Sequence, residues 1–274
     1  MRKKWLPFAS YNLWSLFNSP VGKEEWHCDM KRGFKKVRNK EPQVKALLED
    51  TIPQKIGKLA QKGVYEFHQH TQLLKQSDGV ERVAVILGLN REVDEVKERV
   101  VSILNNYYKY PILVGKNIYS LSRGDEEISE PLHIKQGNSI FRLYAPTDCI
   151  FTESDGTVHI LDFKTGKSGQ NDFDRRQAYV YLLAGRYIFP NQTVIASFYN
   201  LENFSVSEII EANPEKLDFV QIELAEIAKK HEEEKKLYRH NPNDFAKIFP
   251  PNPGSTCKYC LFNYICQFSC EVSN

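Results

Sequence analysis

A strand, a tight turn, a second strand and a helix in immediate succession leave a chain few ways to fold, and residues 142–181 read in that order. A strand-like run over 142–152 meets a turn at 153–156, spelled Glu-Ser-Asp-Gly. The second strand, 157–164, ends in Asp162-Phe163-Lys164, and a polar, glycine-containing loop then opens a helix near Asp172 or Asp174. Helical segments come before this unit and further strands after it, so the chain reads as a mixed α/β domain with a central sheet flanked by helices.

The polar residues of the unit fall where one site can use them all. Opposed residues of paired strands project from the same face, so Asp148 belongs opposite Asp162 rather than Leu161 or Phe163. That register follows if Ser154-Asp155-Gly156 forms a three-residue loop with Gly156 left-handed. A two-residue Asp155-Gly156 turn sends Asp148 to the other face unless a bulge corrects it. Asp162 and Lys164, two apart on a strand, share a face, as do Gln177 and Tyr181 at i and i+4 on the helix. Asp148 and Asp162 would hold a divalent cation together with the backbone carbonyl of Phe163, because Mg²⁺ prefers hard oxygen ligands and keeps several waters. Lys164 then reaches the attacking water, the scissile phosphate or both. The chemistry suggested is metal-dependent attack of water on a phosphodiester.

An aspartate on one strand, Asp-x-Lys on the next and Gln-x-x-x-Tyr on the following helix resembles the core of the PD-(D/E)xK nucleases. More narrowly it is similar to the RecB-like branch, which includes CRISPR-associated RecB-like nucleases and the AddB nuclease domain. The resemblance implies a restriction-endonuclease-like fold, with Asp148, Asp162 and Lys164 catalytic and Gln177 and Tyr181 in support. It implies Mg²⁺ or Mn²⁺ as cofactor, and DNA as substrate, cut in exonuclease fashion as single strands or at duplex ends. Repair or CRISPR proteins are the implied partners. In that family the helix ahead of the core carries a glycine and, about four residues on, a histidine facing the metal; here Gly57 is followed by Gln61. An amide is a poor ligand beside imidazole, so Gln61 either stands in or leaves the metal one ligand short. The alternative is a catalytically weak or inactive DNA-binding or scaffold subunit.

The first forty residues are aromatic, then basic. Trp5, Phe8, Trp14, Leu16 and Phe17 suit one side of a core, and Lys31, Arg32, Lys35, Lys36, Arg38 and Lys40 follow. Such a run is either a solvated surface or a set of phosphate contacts that gain by counterion release. Lys31, Arg32, Lys35 and Lys36, with Arg176, are the candidate nucleic-acid contacts. Residues 42–76 read as helical, with Pro53 opening or kinking a second segment and Ile56, Leu59, Ala60, Gly63, Val64 and Phe67 at helical spacing. His68 and His70 read as surface residues. A second amphipathic helix covers 91–110, ended by Tyr110-Pro111. Strands at 116–121 and 132–135 precede the hairpin, strands at 193–199 and 204–210 follow it, and 214–238 is a long charged helix.

Of six cysteines, four lie beyond residue 256. Clustering of this kind in a cytosolic chain reads as metal ligation rather than disulfides. Spacing leaves two sets open: a local zinc site of Cys257, Cys260, Cys266 and Cys270, or Cys28 joining Cys257, Cys260 and Cys266 around an iron–sulfur cluster. The resembling nucleases carry one cysteine ahead of the core and three after it at the same C-x₂-C-x₅-C spacing, around a [4Fe–4S] cluster. The resemblance therefore implies Cys28, Cys257, Cys260 and Cys266 as ligands, in a clamp joining the two ends of the chain. Cys149, next to Asp148 on a strand, should face away from the site.

Hydrophobic residues at 41% and aromatic residues at 12% supply a core and exclude a disordered chain. A net charge of +2 does not decide for or against nucleic acid, since only the groove beside an acidic metal site must be basic. No run of about 18 apolar residues occurs, so no transmembrane helix is expected. Pro7, Ser10, Tyr11 and Asn12 interrupt the apolar N-terminal stretch, which reads as mature cytoplasmic protein rather than a signal peptide. The expectation is one nuclease domain over 1–274. Its core lies at about 42–212, and segments 1–41 and 213–274 form an iron–sulfur subdomain.

Overall fold

The computed structural model describes residues 6–19, 22–124, 130–166, 174–211 and 213–270. Trp5 and Asp172 lie outside them. The chain divides into two compact units, one made of Met1–Glu49, Pro131–Tyr144 and Asp218–Asn274, the other of Asp50–Glu130 and Ala145–Leu217.

In the first unit, β1 (Phe8–Ser10) runs parallel to β4 (Ser139–Tyr144), which pairs antiparallel with β3 (Leu132–Gln136). Ser10 ends β1 and caps α1 (Tyr11–Phe17), its hydroxyl accepting from the Leu13 amide at 3.2 Å. Helices α2 (Asp29–Lys36), α3 (Pro42–Leu47) and α9 (Phe245–Ile248) complete a small core of Met30, Phe34, Val44 and Phe262. Cys28, Cys260 and Cys266 pack against the same core. Gly33 lets α2 reach it, for a Cβ there would stand 2.7 Å from the Phe249 ring.

The second unit is built on a sheet of order β2-β5-β6-β7. Strand β2 (Asn117–Leu121) is antiparallel to β5 (Cys149–Thr152), β5 to β6 (Val158–Lys164), and β6 is parallel to β7 (Val194–Asn200). A parallel pair needs a crossover, and α7 (Arg175–Ile188) makes it. Helix α4 (Ile52–Gln69) opens with Pro53 in its first turn and a capping box in which Gln54 Oε1 accepts from the Thr51 amide at 2.9 Å. Its apolar stripe of Ile56, Ala60, Val64 and Phe67 packs with Val96, Val100, Ile103 and Tyr107 of α6 (Asp94–Lys109) and with Cys149, Phe151, Leu161 and Phe163 of the sheet. Helix α5 (Gly79–Ile86) adds Val80 and Val83 to that core. The long helix α8 (Pro214–His240) follows β7 in the chain.

Four expectations are corrected. The single run 142–152 is two strands, β4 and β5, which join different sheets; Pro146 between them offers no backbone donor to continue a ladder. One central sheet accordingly becomes two, both mixed and both accompanied by helices. Residues 204–210 make only isolated bridges, Tyr199 to Val206 and Ala196 to Ile210, because Phe204 sits at φ +60° and the Asn200 side chain accepts from the Glu202 amide at 2.9 Å. His68 is half-buried, its Nε2 2.6 Å from the Tyr107 hydroxyl, and burial lowers its pKa.

Candidate active site

The hairpin fixes the register on which the site depends. The Glu153 amide donates to the Thr157 carbonyl at 2.8 Å, leaving Ser154-Asp155-Gly156 as a three-residue loop, with Gly156 at φ +89°. Only glycine adopts that conformation freely. Pairing then runs Thr152 with Val158 through Cys149 with Leu161, so one step further Asp148 lies opposite Asp162. This is the three-residue alternative of the two that the sequence left open.

Asp148 is clamped by the chain around it. Its Oδ2 accepts from the Phe163 amide at 2.7 Å and its Oδ1 from Gln61 Nε2 at 2.8 Å, while its own carbonyl accepts from the Ser122 amide at 2.7 Å. Gln61 thus meets Asp148 as a donor. The far side of its amide is close to Gly124, where a Cβ would lie 2.8 Å from Gln61 Oε1. Asp162 is 3% exposed; its Oδ1 accepts from the Tyr181 hydroxyl at 2.6 Å and from Gln177 Nε2 at 2.9 Å. Its Oδ2 is ion-paired with the Lys164 ammonium at 2.6 Å. Lys164 also donates to Gln177 Oε1 at 2.8 Å and lies 5.1 Å from the centroid of the Phe198 ring.

Electrostatics follow from this crowding. Burial first, and the neighbouring Asp162 charge second, push the Asp148 carboxyl well above the usual carboxylate range. Tyr181 is held far above an ordinary phenol by burial and then by Asp162 and Asp148, so it stays a hydrogen-bond donor. Two carboxylates sharing one lysine form a site short of positive charge, which a divalent cation would supply. The donor set fits Mg²⁺ or Mn²⁺: hard carboxylate oxygens, two opposed buried acids against one lysine, and few protein ligands. Among the described residues no group of three or more His, Cys, Asp or Glu side chains gathers to hold a metal, so the remaining ligands would be backbone oxygen and water.

The helix signal is met at α7. Asp174 caps it, accepting from the Arg176 amide at 3.0 Å, and Gln177 and Tyr181 face Asp162 from one side of the helix. Arg176 is half-buried with its guanidinium folded back on the Asp174 carboxylate. Cys149 is fully buried in the core, its thiol pushed up to about 12 by burial and then by Asp148. Phe198, paired with Asp162 across β6 and β7, escaped the sequence reading; an aromatic residue on an apolar strand carries no signal of a lysine resting on it.

Among the basic residues of α2, Arg32 is corrected as a nucleic-acid contact. It is fully buried, donates to Asp29 Oδ1 at 2.7 Å and to both Glu234 oxygens, and lies 3.8 Å above the Phe17 ring. A buried charge so completely paired is part of the core. Lys31, Lys35 and Lys36 remain partly exposed. Of the cysteines, Cys266 has its thiol pKa raised by burial and then by Cys28, Cys260 and Cys257, in that order, while Cys270 is exposed and absent from that set.

The description "PD-(D/E)XK nuclease superfamily" belongs to the family model that matches residues 30–267. The chain belongs to that superfamily. Its members are nucleases that typically use Mg²⁺ or Mn²⁺. None of the curated proteins matches the chain. Among solved structures, "Crystal structure of SSO0001" is similar at 12% identity and a TM-score of 0.35, covering 89% of this chain and 96% of its own.

Proposed function

We propose that the chain is a RecB-like nuclease that hydrolyses phosphodiesters of DNA, acting on single strands or duplex ends. The observation that carries the reading is Asp162. One oxygen is held by Tyr181 and Gln177, the other meets the Lys164 ammonium, and Asp148 lies opposite, so two carboxylates share one lysine. Asp148, Asp162 and the Phe163 carbonyl would hold the cation, with Gln61 orienting Asp148. A divalent cation bound there neutralises charge on the scissile phosphate and makes water a better nucleophile. Lys164, steadied by Gln177, offers its ammonium to the attacking water or to a phosphate oxygen. Tyr181 and Gln177 fix the Asp162 rotamer so that its other oxygen keeps its aim. Lys31, Lys35, Lys36 and Arg176 are proposed phosphate contacts.

In the first unit we propose a [4Fe–4S] cluster on Cys28, Cys257, Cys260 and Cys266. Cys28, Cys260 and Cys266 pack against the same small core, while Cys270 is exposed, which supports Cys28 as the fourth ligand over Cys270. Thiolates also suit zinc, and iron, sulfide and zinc analysis of anaerobically purified protein separates the two.

The test of the nuclease reading compares wild type with Lys164→Ala on single- and double-stranded DNA with Mg²⁺ or Mn²⁺. Metal-dependent cutting by wild type, reduced by about 10²-fold or more in the variant, is the expected result. Equal rates in both proteins, or none in wild type, would overturn it; the second outcome would favour a DNA-binding subunit, with Gln61 as its cause.

A further inference from the structure

Three large aromatic rings of the first unit stand in solvent. Tyr264 is 91% exposed, Tyr259 66% and Trp26 41%. Trp26 and Tyr259 stack on each other, with ring centroids 5.9 Å apart and planes 21° from parallel, and the Lys258 ammonium lies 4.8 Å from the Tyr259 centroid. The rings sit on a fixed base. Asn252 Nδ2 donates to the His27 carbonyl at 2.8 Å, Thr256 Oγ1 to the Glu25 carbonyl at 3.3 Å, and Phe262, fully buried, stacks on Phe34 at 5.0 Å. With Phe262 turned inward, Tyr259, Leu261 and Tyr264 are turned out.

Cations accompany the rings. Among the described residues no carboxylate pairs with Lys31, Lys35 or Lys36 of α2, whereas Arg32 between them is saturated by Asp29 and Glu234. Phe34, next to Lys35 on α2, stacks on Phe262, which sets α2 against the segment that carries Tyr259 and Tyr264. Glu24 accepts from the Gly22 amide at 2.9 Å. Flat exposed rings interleaved with unpaired lysines match one ligand chemistry closely. Bases stack on aromatic faces whatever their identity, and the lysines neutralise the backbone between them. A duplex offers its phosphates but hides its base faces; an acidic peptide offers charge but no π-surface of comparable extent.

We infer that Trp26, Tyr259 and Tyr264, with Lys31, Lys35 and Lys258, form a stacking platform for single-stranded nucleic acid. The inference rests on the nuclease reading for its biological sense and gives the chain a preference for unpaired strands that is independent of the catalytic residues.

The test uses the full-length protein, without added divalent metal, and fluorescein-labelled oligo(dT) beside a duplex of equal length. Tyr259→Ala and Tyr264→Ala should each weaken oligo(dT) binding by about 5- to 100-fold, with Phe at either position restoring it to within about twofold. Duplex binding should change by less than about twofold, and oligo(dT) should quench the fluorescence of wild type more than that of Trp26→Leu. Tyr264 is almost wholly exposed, so its truncation leaves the fold intact. Alanine variants that bind oligo(dT) as wild type does would overturn the platform, as would wild type that binds single strands no better than duplex. Cutting assays on the same proteins separate the two readings. Wild type that cuts, with KM for single strands unchanged in both alanine variants, defeats the platform alone. Ring-dependent binding without cutting upholds the platform and defeats the nuclease reading alone.

Discussion

At the scale of single residues, the chain spends buried charge in two opposite ways. Around Asp162 it leaves an acid under-neutralised, which is the state a metal site needs. Around Arg32 it neutralises a base completely, and His231 pays for that arrangement. His231 is 7% exposed, its Nδ1 accepts or donates no hydrogen bond among the described residues, and it meets the Phe17 ring edge-on at 6.4 Å. Burial first, then Lys235, Arg32 and Lys36, push its pKa down to about 3 from an ordinary 6.5. In the unfolded chain the imidazole takes its proton near 6.5, while in the folded chain it stays neutral until near 3. Its contribution is therefore complete above about pH 6.5 and is lost as pH falls towards 3, at no more than about 1.4 kcal/mol per pH unit. Urea unfolding of wild type between pH 7 and 5 should show this loss, and His231→Gln should have a shallower pH dependence. Identical slopes would mean that His231 protonates freely in the folded protein.

At the scale of elements, local signals were legible where they could act alone. Pro53 at the opening of α4, the helix start at Asp174 and the i, i+4 pairing of Gln177 and Tyr181 all follow from neighbouring residues, whereas the three-residue loop with its left-handed glycine was one of two turns the sequence allowed. What sequence could not resolve were choices made by partners distant in the chain. Nothing in 142–152 says that β4 pairs with β1 while β5 pairs with β2. Arg32 looks like its neighbours on α2 until Glu234 arrives from α8. Close approach between elements is of the same kind, and Gly79 is its sharpest instance. A Cβ at this first residue of α5 would lie 1.9 Å from the Leu73 carbonyl oxygen. Backbone cannot rotate aside as a side chain can, so the helix or the preceding turn must shift. Gly79→Ala should destabilise the second unit by about 1–3 kcal/mol, outweighing the gain of up to about 1 kcal/mol in helix propensity. A thermal melt equal to or above that of wild type would contradict the close packing.

At the scale of the whole molecule, the order of segments makes the cysteines matter more than their number. The first unit is assembled from three separated stretches, and the second unit's two stretches lie between them in the chain. Its core is small, and Cys28, Cys260 and Cys266 pack directly on it. A cluster linking Cys28 to Cys257, Cys260 and Cys266 would close a loop containing the entire second unit, and closing so long a loop removes much unfolded-state entropy. Binding of a metal centre to the folded state alone adds its own free energy to folding. Cys28→Ser should therefore lower iron and sulfide content together and speed hydrogen exchange in 22–49, 131–144 and 218–270, with the second unit's core strands β5, β6 and β7 little changed. Cys270→Ser, at an exposed residue outside the core on which Cys28, Cys260 and Cys266 pack, should leave metal content and exchange as in wild type. If Cys270→Ser lost the metal and Cys28→Ser kept it, the ligand set would be the local one, and the two ends of the chain would be joined by packing alone.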